Sequence, residues 1–204
     1  GFAQIIDRRH KGSLNEEGRH YFDNIVKASR QMGELIDDLL QFSRLGRKAI
    51  QSENVPLDEV FKTAMETLSG SMEKTGARIN LPEQMPVIQG DGTLITHLFI
   101  NLLENAVKYH KPDEPPCIDV AFEIRDQTVI ISIADKGIGI EPEYHEKIFN
   151  IFQRLHSQED YPGTGIGLAA VRKAVQIMGG RVWVESERGK GSVFKIEVST
   201  ATTA

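Results

Sequence analysis

A chain of 204 residues has room for one full domain and a smaller element. With 40% hydrophobic and 26% charged residues it has the composition of a globular protein able to bury a core. Its formal net charge of -5 disfavours sequence-independent nucleic-acid binding, no apolar run reaches the length of a membrane span, and the single cysteine, Cys117, excludes an intrachain disulfide. No Cys/His cluster has zinc spacing, which fits a reducing cytoplasm. The opening Gly1-Phe2-Ala3 shows neither an initiator methionine nor a signal-peptide pattern and reads as the start of a fragment.

In chain order, Gly1 to Arg9 reads as the end of a helix and Lys11-Gly12-Ser13 as a turn. Glu16 to Arg47 then predicts one long helix, with Phe22, Ile25, Ser29, Met32, Ile36, Leu39 and Ser43 in alternating three- and four-residue steps. A second row, Tyr21, Ala28, Leu35 and Phe42, widens the apolar stripe beyond what one partner helix needs, so residues 1–48 are expected to be part of a helical hairpin that dimerises into a four-helix bundle; read alone, the stripe also fits a solvent-facing amphipathic helix packed on its own domain. Asn54 to Asp58 reads as a linker with a helix start at Asp58, opening a second domain over residues 54–199. Its expected elements are a helix to about Lys74, extended stretches at Ala77 to Leu81 and Val87 to Gln89, and an Asp91 cap before a central helix from Leu94 to Tyr109. A hairpin follows over Cys117 to Ile124 and Thr128 to Ala134, then a short helix near Glu143 to Phe149, a helix from Gly167 to Met178, and strands Val182 to Glu185 and Ser192 to Val198. The fold class is therefore α+β: a helical hairpin followed by an α/β sandwich with a mixed, mostly antiparallel sheet packed on helices.

Three segments carry chemistry. On the central helix, Asn101, Glu104, Asn105 and Lys108 form a polar stripe beside the apolar face of Leu98, Leu102, Leu103, Ala106 and Val107. Asparagine is a poor helix-interior residue, and a magnesium ion bridging phosphates offers a use for its carbonyl oxygen, with Lys108 neutralising phosphate charge. Read alone, the stripe also fits amides that face water or bond to loops. The strand from Val129 delivers Asp135 into Lys136-Gly137-Ile138-Gly139-Ile140, where a carboxylate can accept from an exocyclic amine such as that of adenine; alone, this is equally a turn. Gly163-Thr164-Gly165-Ile166-Gly167-Leu168 opens a helix whose first N–H groups can hold phosphate oxygens. Neither the Walker A spacing nor the dinucleotide glycine spacing is met.

These segments, in this order, resemble the catalytic domain of two-component sensor histidine kinases. Leu98 to Tyr109 is similar to the family's N box; Asp135, Gly137 and Gly139 to its first glycine box; Phe149 and Phe152 to the F box; Gly163, Gly165 and Gly167 to the second glycine box; Gly189-Lys190-Gly191-Ser192 to the final glycine turn. The resemblance implies ATP and Mg2+ as cofactors, with Asn105 on the magnesium, Asp135 reading the adenine amine and Tyr109 beside the base. The implied nucleotide-binding set is Asn101, Asn105, Lys108, Tyr109, Asp135, Gly137, Gly139, Ile140, Gly163, Thr164, Gly165, Gly167 and Leu168. Phe149 to Gly163 is then a lid over ATP, with Arg154 reaching towards the phosphates; Asn101, Glu104 and Arg154 are the catalytic candidates. Read by themselves, Phe149 and Phe152 are equally well core aromatics.

The N-terminal segment, including Ile36-Asp37-Asp38-Leu39-Leu40 and Ser43-Arg44, resembles the second half of the same family's dimerisation and phosphotransfer hairpin, and the wording of Phe152 to His156 and Val182 to Ser186 is most similar to kinases attached to phytochrome-type sensors. The implied partners are a second copy of the chain, a response regulator receiver domain and an upstream sensor domain. None of the six histidines is followed by the family's acidic residue and proline, so the phosphoacceptor is expected outside this chain, on an upstream helix. The expected reaction is transfer of the ATP γ-phosphoryl group to that histidine, for relay to a response regulator Asp. The rival readings are a gyrase-type ATPase and a nucleotide-binding dimer module without kinase activity. Asn101 stands where such ATPases carry a water-activating glutamate, so slow hydrolysis is expected, with Glu104 the remaining group able to orient water.

Overall fold

The computed structural model describes residues 14–45, 52–157 and 161–201. Two compact units meet in sequence between Phe42 and Ser43. The first turn expected at residues 11–13, the helix end before it, and the last turn of the long helix up to Arg47 lie outside the described residues.

In the first unit, helix α1 (Glu16–Arg44) starts where Asn15 accepts a 2.8 Å hydrogen bond from the Gly18 N–H through Oδ1, occupying a donor that the first turn leaves over. Glu16 and Glu17 sit at its positive end and Arg44 at its negative end, each favourable with the helix dipole. The apolar stripe read from the sequence is present on this helix: Tyr21, Ile25, Met32, Ile36, Leu39 and Leu40 are each 45–58% exposed.

The second unit runs β1 (Glu53–Pro56), α2 (Leu57–Thr75), β2 (Arg78–Asn80), β3 (Val87–Gly90), α3 (Gly92–Lys108), β4 (Cys117–Arg125), β5 (Thr128–Asp135), two 3-10 turns (Pro142–Tyr144 and Lys147–Phe149), α4 (Gly167–Ile177), β6 (Arg181–Glu187) and β7 (Gly191–Ser199). The main sheet has the order β2-β4-β5-β7-β6 and is antiparallel except between β2 and β4. Alternate residues of its strands, Ile118 and Val120, Val129, Ile131 and Ile133, Phe194, Ile196 and Val198, join one core with Phe61 and Leu68 of α2, Val171 and Val175 of α4, and the apolar face of α3. On α3 the buried positions are Ile95, Leu98, Phe99, Leu102, Leu103, Ala106 and Val107, and Phe99 packs against Phe61 with ring centroids 4.7 Å apart. Asp91 caps this helix, its side chain accepting from the Leu94 N–H at 2.9 Å. The cap and the burial fix which face of α3 is left for the site.

Two elements differ from the reading of the sequence. The expected linker at Asn54 to Asp58 is mostly strand: Glu53–Pro56 pairs antiparallel with Val87–Gly90, and the helix starts at Leu57. Pro56 is tolerated because it ends a two-stranded edge, and burial of Val55 and Leu57 anchors the segment. The single short helix expected near Glu143 to Phe149 is instead two 3-10 turns, each closed within three residues by His145 N–H to the Pro142 carbonyl and Asn150 N–H to the Lys147 carbonyl.

Candidate functional site

A cleft of about 590 Å³, partly open to solvent, lies over the C-terminal half of α3. Its walls are Asn105 and Tyr109 of α3, Asp135 at the end of β5, Ile138, Gly139 and Ile140 of the following loop, Ile148, the stretch Gln153 to His156, Leu168 in the first turn of α4, and Ser192 and Phe194 of β7. Largely apolar walls with a few polar groups set among them suit a flat, partly polar ligand.

Close backbone packing builds the floor. A Cβ on Gly137 would lie 2.2 Å from the Tyr109 carbonyl oxygen, and one on Gly139 would lie 2.1 Å from that of Glu187. Gly139 also has φ +69°, a conformation that disfavours a side chain. Hydrogen bonds then pin the loop, from the Ile138 N–H to the Tyr109 carbonyl at 3.0 Å and from the Ile140 N–H to the Ser186 hydroxyl at 2.8 Å. The glycines let the loop lie flat between the end of α3 and the β6–β7 turn.

Asp135 is the most specific polar group in the cleft. Its Oδ1 accepts from the Gly137 N–H at 2.8 Å and from the Ser192 N–H at 3.2 Å. Burial pushes its carboxyl above the usual carboxylate range, and those two backbone N–H groups pull it partly back. With Oδ1 engaged twice, the second oxygen is the one left for a ligand donor.

The two asparagines of α3 do different things. Asn101 donates from Nδ2 to the His97 carbonyl at 2.9 Å, and its Oδ1 lies 2.7 Å from where a Cβ on Gly167 would sit. The Asn105 amide has no hydrogen-bond partner among the described residues and lines the cleft. A free amide oxygen of that kind is a hard donor suited to magnesium. Beyond it, α4 begins at Gly167 without a side-chain cap, so its first N–H groups are available to an anion.

The sequence and the solved structures of other proteins agree on what this assembly is. Residues 90–202 match the family described as histidine kinase-, DNA gyrase B- and HSP90-like ATPase, and residues 1–48 match the His kinase A phospho-acceptor domain. The chain belongs to the sensor histidine kinase family. It is 33% identical over 193 residues to cyanobacterial phytochrome A of Nostoc sp., covering 95% of this chain and 25% of that protein. It is 30% identical over 199 residues to the aerobic respiration control sensor protein ArcB of Escherichia coli, covering 94% of this chain and 25% of ArcB. The chain thus spans about a quarter of the length of these relatives. Among solved structures, full-length ShkA in complex with AMPPNP superposes with a TM-score of 0.73 at 26% identity, covering 99% of this chain and 42% of ShkA.

Within this histidine kinase cleft, Asn105, Tyr109, Asp135, Gly139, Ile140, Arg154 and Leu168 of the expected set are brought together on the walls. Gly137 lies directly beneath, against Tyr109 and Asp135. Lys108 holds its ammonium 4.6 Å over the Tyr109 ring centroid, and Gly163 packs so close to it that a Cβ would lie 2.6 Å from Nζ. Gly165, at φ +75°, is bonded through its carbonyl to the Phe152 N–H at 3.0 Å, tying the glycine loop to the segment that follows Phe149. Thr164 and Gly167 stand in the same loop and helix start, off the cleft wall. Glu104 is exposed and does not line the cleft. The F-box aromatics separate: Phe149 is buried at 3% exposure under Arg172 and against Phe194, whereas Phe152 is 57% exposed with φ +65°.

The walls not singled out from the sequence are Ile138, Ile148, Gln153, Leu155, His156, Ser192 and Phe194. Ile138 sits inside the first glycine loop, and Ser192 directly follows the last glycine turn, so position alone marked both. Ile148 and Phe194 are core-type apolar residues whose sequence surroundings carry no mark of a site.

Proposed function

We propose that this chain is the ATP-binding kinase core of a two-component sensor, transferring the ATP γ-phosphoryl group to a histidine outside these 204 residues for relay to a response regulator Asp. The observation that carries the reading is the meeting on the walls of one cleft of an Asn105 amide unpartnered among the described residues, the half-buried Asp135 carboxylate, and Leu168 in the uncapped first turn of α4. In this reading the adenine amine donates to the free oxygen of Asp135 and the base lies against Tyr109, Ile138 and Ile140. The phosphates run towards Leu168 and the first turn of α4, with Lys108 and Arg154 supplying positive charge. Asn105 holds magnesium, which when bound neutralises charge on the phosphate oxygens. The chain's own contribution is positioning: it presents a phosphoryl group in line and keeps water from the base end of the cleft.

Asn101, already engaged with the His97 carbonyl, offers no carboxylate to activate water, which favours transfer over hydrolysis. The exposed apolar row on α1 favours a dimer formed through a helical bundle, with residues 1–48 as part of the hairpin and 54–199 as the catalytic domain. Two observations on relatives support the remaining partners: ThkA was solved in complex with the response regulator protein TrrA, and several relatives are phytochromes, whose greater length leaves room for a sensor domain. No described helix is long and apolar enough to cross a membrane, and the reading places this part of the protein in the cytoplasm.

The test is incubation with γ-labelled ATP, magnesium and a separate protein carrying the acceptor helix. Acid-labile label on that helix is the expected result; label released only as inorganic phosphate contradicts it.

A further inference from the structure

The lid segment carries a group that the nucleotide site does not use directly. Tyr161 does not line the cleft, yet it is tied to it from several sides. Its ring packs 5.0 Å from that of Tyr109 and 5.2 Å from that of His156, both of which are cleft walls. Its N–H donates to the Ser157 carbonyl at 3.1 Å, and its hydroxyl reaches the His110 carbonyl at a longer 3.5 Å. Its own carbonyl accepts from Arg154 Nη2 at 3.0 Å. Arg154 is thus held by a backbone oxygen whose place is set by a ring packed at a tilt against Tyr109, at the end of α3.

We infer that Tyr161 is a positioning residue: its ring, packed at a tilt against Tyr109, seats the Arg154 guanidinium at the phosphate side of the cleft. This rests on the ATP-site reading given above. An arginine on a surface segment has many rotamers and loses free energy when one of them is selected. The Tyr161 carbonyl makes that selection before the nucleotide arrives and, among the described residues, engages one of five N–H donors, leaving the others for phosphate oxygens. The tilted ring contacts matter more than the hydroxyl, because the 3.5 Å contact to His110 is at the limit of a useful hydrogen bond. Removing the ring leaves the carbonyl in the chain but takes away what holds it in place.

The test is a double-mutant cycle on this chain, with Kd for Mg·ATP and for AMP measured by calorimetry and folding checked by thermal unfolding. Tyr161→Ala is expected to weaken ATP about tenfold, the scale of one charge-assisted hydrogen bond, and AMP less than about threefold. Tyr161→Phe is expected to bind ATP like the unaltered chain. In an Arg154→Ala background, Tyr161→Ala is expected to add nothing further for ATP. Equal losses for ATP and AMP, or a full loss repeated in the Arg154→Ala background, overturn the role while leaving the nucleotide site standing. An unaltered chain that binds no ATP overturns both.

Discussion

Replacing Asp135 by Asn isolates the chemistry of the base pocket from its packing. The amide has nearly the shape of the carboxylate, and its oxygen can still accept from the Gly137 and Ser192 N–H groups that now meet Oδ1 at 2.8 and 3.2 Å. What changes is the second oxygen, which becomes an NH2 group and sets donor against donor where an adenine amine is expected. A buried donor left unmatched costs about 1–3 kcal/mol, so ATP affinity should fall roughly 5- to 150-fold. Stability should move the other way. Burial raises the folded-state pKa of Asp135 above its unfolded value, so what this group contributes to stability is fully present below the unfolded pKa and is lost as pH rises through the folded one. Asp135→Asn lacks this decline, and its advantage in unfolding temperature should grow across that interval. Calorimetry with Mg·ATP and thermal unfolding at several pH values read both effects. Retained ATP affinity, or a variant that unfolds earlier than the parent at neutral pH, refutes the reasoning.

Other perturbations separate structural from binding roles. Phe149→Ala empties a fully packed site and should cost about 3–5 kcal/mol in denaturant unfolding, whereas Phe152→Ala, at 57% exposure, should cost less than about 0.5 kcal/mol. Gly191→Ala places a Cβ 2.0 Å from the Asp135 carbonyl oxygen at φ +93°. It should lose about 2–4 kcal/mol and weaken ATP with it, because the Ser192 N–H is displaced from Asp135. Glu104→Ala should leave any slow ATP hydrolysis within about twofold, since Glu104 is exposed and off the cleft; abolished phosphate release in a coupled assay contradicts that placement.

The parts of this molecule that were legible in the sequence are those whose signal is local. The apolar spacing of α3, the Asp91 cap and the β4–β5 hairpin each follow from neighbours a few residues apart, and the structure has them within a residue or two at most ends. Strand β1 was hidden because Asn54-Val55-Pro56 carries turn signals, and only Val87–Gly90, some thirty residues later, supplies its partner. The stripe on α3 showed which residues share a face but not which remain unpartnered. The contact between Asn101 and Gly167 depends on how α3 and α4 pack, and it sets Asn101 apart from the free Asn105. Glu104 looked equivalent to its neighbours by spacing, yet it turns to solvent. Ser192 and the lid walls enter the cleft through sheet pairing and loop closure, neither of which leaves a periodic trace.

The proposed function requires the α3 amide and the β5 carboxylate to grip a magnesium-bound nucleotide together. Titrating ATP into the chain with and without magnesium, alongside Asn105→Ala, tests it most directly. Magnesium is expected to strengthen binding in the parent and to give little gain in Asn105→Ala, while AMP binds both alike. Equal magnesium dependence in parent and variant, or no ATP binding in either, contradicts it.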